Sequence, residues 1–195
     1  MSRQWLTYVL PIVAVAYVVS LFSIVQPASA YVTAQRWETN YTEYMAASNM
    51  NTSPFPSSTY SDISAAATKW SQGNTGKNFN IYQPPMGPTR VYVTRASFSA
   101  QGWPSNPAQT NHYIPDGYLR SSTIYLNSDW SWNTSCDLSQ SGHRADLPTI
   151  IVHEMGHLVR LLHDSNHTEA VMWPDYTCKR QLATDDKNGV GARYP

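Results

Sequence analysis

The stretch His153-Glu154-Met155-Gly156-His157 constrains this chain more than any other feature of it. With six histidines and four glutamates in 195 residues, H-E-x-x-H arises by chance about 0.004 times per chain of this composition. Around it, an apolar run predicts a helix over Leu147 to Leu162, with Asp146 as its cap and Pro148 in the first turn. On a helix, positions i and i+4 project from one face, so the two imidazoles can share a Zn²⁺ at about 2.0–2.1 Å. Glu154, next to the first of them, is placed to meet a metal-bound water and take its proton. Two helical histidines can also be merely solvated or hydrogen-bonded, but that leaves the glutamate between them unexplained. A catalytic zinc normally has three protein ligands and an open position, and one helix supplies only two. His163 is the candidate third ligand, with the neighbouring Asp164 as the alternative or as a supporting partner.

Composition limits what kind of protein can carry such a site. The chain has 13 basic and 13 acidic residues, so it offers no electrostatic footprint for nucleic acid or an anionic membrane surface. An aromatic content of 12% gives ample core material and argues against disorder. At the N-terminus, Arg3 precedes an uncharged apolar run from Leu6 to Val25, followed by Ala28-Ser29-Ala30. That order reads as a signal peptide over residues 1–30, cleaved before a catalytic domain at 31–195, with no membrane contact afterwards. An uncleaved membrane anchor is the alternative, and both place the domain outside the cytoplasm. In an oxidising compartment Cys136 and Cys178 are expected to pair. Two free thiols remain the other possibility.

Along the chain the expected elements alternate. Strands are read at Tyr41 to Ala47, Asn78 to Tyr82, Arg90 to Phe98 and Ser122 to Asn127. A helix is read at Ser61 to Ser71, where Ile63, Ala66, Ala67 and Trp70 recur on one face and Gly73 follows as a stop. Gln101 to Gly117 reads as an irregular excursion, and a short helix is expected between Leu182 and Tyr194. His112, His143 and His167 read as surface or structural histidines. The fold class is α+β: a single domain with a twisted mixed β-sheet and about three helices.

The spacing H-E-x-x-H-x-x-x-x-x-H through His163 resembles the long zinc signature of the metzincins, and the chain is most similar to their matrixin branch. Ala170-Val171-Met172-Trp173-Pro174 resembles the matrixin Met-turn, and Asp185-Asp186-x-x-Gly189 its C-terminal helix. The resemblance implies a zincin fold and a secreted endopeptidase with one catalytic zinc on His153, His157 and His163. It implies that Glu154 activates a zinc-bound water, that Met172 supports the site, and that Pro174 to Tyr176 form the S1′ wall. A protein or peptide substrate and a monomer are expected, with the substrate strand added near Ile124 to Asn127. Calcium is compatible with the family, but no calcium or structural-zinc motif is recognisable in Gln101 to Gly117. One departure stands out: Arg160 occupies the position where matrixins carry the glycine that ends the helix, and a non-glycine residue in αL costs about 1 kcal/mol. Arg160 is also the only hint of the rival reading, a secreted non-catalytic zinc-binding or protein-interaction domain on the same fold.

Overall fold

The computed structural model describes residues 37, 42–47, 50, 52–72, 78–81, 90–102, 105–175 and 177–194. The expected leader at 1–30, Gly73 and Tyr176 lie outside the described residues. The described residues form a five-stranded mixed sheet, a two-stranded sheet and three α-helices, as the α+β reading requires. Its strands are β1 (Thr42–Ala47), β2 (Asn78–Ile81), β3 (Val91–Ala96), β4 (Ala108–Tyr113) and β5 (Ser121–Asn127), followed by the short pair β6 (Ser131–Asn133) and β7 (Arg144–Asp146). The helices are α1 (Thr59–Gln72), α2 (Leu147–Leu158) and α3 (Thr184–Arg193). In the large sheet the order is β2-β1-β3-β5-β4, parallel throughout except for β4, which runs antiparallel to β5.

This order corrects two expectations. Gln101 to Gly117 is not simply irregular, since its centre forms β4. Ile124 to Asn127 is not a free edge either, because β5 pairs with β3 on one side and β4 on the other. The edge beside the site is β4. Its sequence, Ala-Gln-Thr-Asn-His-Tyr, has little intrinsic strand preference. It is a strand because β5 supplies six paired partners, and its polar side chains suit a position half open to solvent.

Helix α1 forms on the predicted face: Ile63, Ala66, Ala67 and Trp70 are all buried. Trp70 also donates its indole N–H to the Val152 carbonyl at 2.9 Å, tying α1 to α2. Helix α2 starts where Asp146 accepts from the Thr149 amide and hydroxyl at 3.1 and 2.7 Å, with Pro148 in the first turn. It ends at Leu158, four residues before the expected Leu162. The sequence hides that end because Val159, Leu161 and Leu162 continue the apolar pattern.

Arg160 takes φ +67°. Its amide donates to His157 at 2.8 Å and the Leu161 amide to Gly156 at 3.0 Å, the paired bonds of a Schellman C-cap. Arginine therefore does here what glycine usually does. The carbonyls at this buried helix end also find donors: Leu158 accepts from the Trp37 indole at 3.1 Å and Val159 from the Tyr194 hydroxyl at 3.4 Å.

The expected disulfide is present, joining Cys136 to Cys178 with their Cα atoms 5.5 Å apart. It fastens the segment before β7 to the chain that follows the Met172 turn. Asp146 reinforces the junction. Its buried carboxylate accepts from Arg180 Nε at 3.0 Å and from the Cys136 amide at 2.9 Å. Burial pushes this carboxyl up, but Arg180, Thr149 and Cys136 outweigh it and hold it below the usual carboxylate range.

Candidate metal centre

His153 and His157 lie on successive turns of α2, and the turn at Arg160 brings His163 back to them. His153 Nδ1 sits 2.7 Å from the Val171 carbonyl, and His157 Nδ1 sits 2.9 Å from the Leu161 carbonyl. A carbonyl only accepts, so each Nδ1 carries the proton and each Nε2 presents a bare lone pair. Both lone pairs face His163, whose Nε2 is 3.1 Å from that of His153 and 3.2 Å from that of His157. A single N–H on His163 can satisfy one of them and not both.

A divalent cation would resolve this arrangement. Ligands at about 2.0–2.1 Å in a tetrahedron lie roughly 3.3 Å from one another, close to the spacing found here. All three imidazoles are biased toward the neutral, ligating form. Burial, ahead of the neighbouring histidines, holds His153 down to about 3, and burial is also the first cause of the lowered pKa at His157 and His163.

Glu154 is buried beside them and receives the Thr110 hydroxyl of β4 at 2.5 Å. Burial pushes its carboxyl up to about 7, against the Thr110 hydrogen bond that pulls it down. A carboxyl near neutrality can both take and return a proton, and a cation on the histidines favours its ionised form. Asp164 is not turned to the histidines. Its carboxylate accepts from the Asn166 amide at 2.8 Å and pairs with His167. Its amide donates to the Met172 carbonyl at 2.9 Å, which fixes the chain just past His163. Of the expected structural histidines, His112 hydrogen-bonds Ser122 and His143 stacks on Trp130.

Met172 lies beneath the site and is 2% exposed. It packs so closely on α2 that a Cβ added to Gly156 would stand 2.1 Å from its sulfur. Asp186 of α3 holds the turn by accepting from the Val171 and Met172 amides at 2.9 and 3.3 Å. Sequence reasoning gave neither Gly156 nor Asp186 a role of its own. Gly156 was legible only as the small residue inside the histidine motif. Thr110 was missed altogether, because its strand was.

A cavity of about 360 Å³ opens in front of the histidines, between β4 and the segment after Met172. Pro174, expected in its wall, lines it together with Trp173 and Thr177. Karilysin of Tannerella forsythia is 30% identical to the chain over 138 residues, which cover 68% of this chain and 28% of karilysin. The chain thus spans less than a third of that relative. The family model described as Matrixin matches residues 36–195, from the start of the described fold through the three histidines to the end of α3, and the chain belongs to the matrixin family of peptidases.

Proposed function

We propose that this protein is a secreted zinc-dependent endopeptidase that cuts proteins or peptides in the cleft between β4 and α2. The observation that carries the reading is the meeting of three Nε2 atoms at 3.1 and 3.2 Å beside the buried Glu154 carboxyl. Family membership implies zinc, and the donor set fits it. His153, His157 and His163 would hold the ion. Zinc bound there would supply a Lewis acid and lower the pKa of water.

The chain's own groups do the rest. Glu154 takes a proton, on its free carboxylate oxygen while Thr110 holds the other, from the water whose oxygen bonds the carbonyl carbon, and it then delivers that proton to the amine that leaves as the C–N bond breaks. An extended peptide pairs with the outer edge of β4 through its main chain, which lays one carbonyl in front of the three histidines. Pro174 lines the pocket beside that carbonyl. Met172 sets the height of the histidines from below. The Cys136–Cys178 bridge supports work in an oxidising compartment, which agrees with a cleaved leader at 1–30 and a catalytic domain at 31–195.

The experiment is metal analysis joined to peptide hydrolysis. The expected result is one zinc per chain, hydrolysis of internal peptide bonds, loss on chelation and return with zinc. Stoichiometric zinc with no hydrolysis across a diverse peptide library rejects the peptidase reading in favour of a binding domain.

A further inference from the structure

Lys179 stands in the cavity wall in a position its structural surroundings do not account for. Its ammonium nitrogen is shielded from solvent and, among the described residues, makes no hydrogen bond. An ammonium has three N–H groups to place, and burying them without an acceptor is unfavourable. The neighbouring acidic groups do not take them. Asp186 is committed to the amides of Val171, Met172 and Ala183. Asp175 and Glu169 act on Lys179 only through space. What keeps the ammonium in place is the Trp173 ring, whose centroid is 5.5 Å from Nζ.

Trp173, Pro174, Thr177 and Lys179 form one wall of the cavity, and Thr149, Ile150 and His153 of α2 the other. A peptide side chain flanking the carbonyl at the histidines enters between them.

We infer that Lys179 is a specificity residue and that this pocket takes an acidic side chain, glutamate or aspartate, next to the bond that is cut. The missing acceptor for the ammonium is the substrate's carboxylate. Burial, the main influence on Lys179, holds its pKa below the usual lysine range, and an incoming carboxylate reverses that bias. The inference rests on reading the cleft as a peptidase site, so binding and cleavage are tested separately.

The probes are internally quenched peptides, amidated at the C-terminus and identical except for Glu, Gln, Leu or Lys on either side of the cleaved bond. A fifth peptide carries its only carboxylate as a free C-terminus directly after that bond. Wild-type protein is expected to cleave the Glu peptide about tenfold to a hundredfold better than the Gln peptide in kcat/KM, chiefly through KM. Lys179→Met is expected to bring that ratio close to one, and Lys179→Glu to turn the preference toward the Lys peptide. Calorimetry of the same peptides on Glu154→Gln protein should give the same order of affinities. Equal handling of Glu and Gln, a preference that survives Lys179→Met, or a preference for the free C-terminus alone overturns the inference. If nothing is cleaved, the peptidase reading fails and calorimetry decides on the pocket alone. Tighter binding of the Glu peptide than of the Gln peptide then sustains it, and equal binding sinks it.

Discussion

Replacing Gly156 with alanine sets two effects of known sign against each other. Alanine is the better helix former by about 1 kcal/mol in a helix interior, and Gly156 sits inside α2. On propensity alone the variant gains stability. The new Cβ, however, falls 2.1 Å from Met172 Sδ and 3.0 Å from Trp70 Cζ2. Neither neighbour can yield cheaply. Trp70 is fully buried and hydrogen-bonded through its indole to Val152. Met172 is held at its backbone by Asp186 and the Asp164 amide, and at 2% exposure its thioether has no open space to swing into.

Overpacking costs about 1–3 kcal/mol, and an approach of 2.1 Å puts this site in the upper part of that range, about 2–3 kcal/mol. Clash therefore wins, with a net loss of about 1–2 kcal/mol and a fall in Tm of about 2–8 °C. The Val171 carbonyl that orients His153 is next to the displaced residue, so zinc affinity should also drop about tenfold or more. Gly191 of α3 is the internal control, since a Cβ there meets nothing within 4 Å, and Gly191→Ala should gain up to about 1 kcal/mol. Thermal unfolding of zinc-loaded and chelated protein reads both variants. A Gly156→Ala protein at least as stable as wild type, beside a normal Gly191→Ala, refutes the tight seat of Met172 on the helix.

Three further outcomes follow from named contacts. Arg180→Met leaves the buried Asp146 carboxylate without its cation; because Arg180 is about a third exposed, the loss at pH 7 should be about 1–3 kcal/mol. Asp146 has a folded pKa below its unfolded value. Its contribution is therefore complete above about pH 4 and fades as the pH falls through the folded value, so variant and wild type should converge in acid denaturation profiles. Reducing the Cys136–Cys178 bridge, 42 residues apart in sequence, should cost about 4 kcal/mol on a chain-entropy estimate, read by chemical denaturation with and without reductant. Finally, His163→Ala should lose zinc on mild chelation while Asp164→Ala keeps one zinc per chain; the reverse pattern in metal analysis makes the third ligand a carboxylate.

The site was more legible than the frame that holds it. His153, Glu154 and His157 are local in sequence, and helical geometry alone brings them together. His163 is close enough in the chain that one turn returns it. The Asp146 cap and the buried face of α1 were likewise readable from short-range patterns. Strand β4 was not, because its residues are polar and only pairing with β5 makes it a strand. With it went Thr110, which lies 44 residues from Glu154 in sequence, and the true edge of the sheet. The end of α2 was hidden in another way: apolar residues continue past it, and an arginine occupies the left-handed position where glycine is the usual signal.

Proton transfer by Glu154, in a metal centre built by three other side chains, is separable from metal binding. Zinc content and peptide hydrolysis measured on one sample of Glu154→Gln protein separate the two. The expected result is one zinc per chain, as in wild type, with hydrolysis reduced by about a hundredfold or more. Zinc retained with hydrolysis within a few-fold of wild type would contradict it, since the carboxylate would then not be the group that moves the proton.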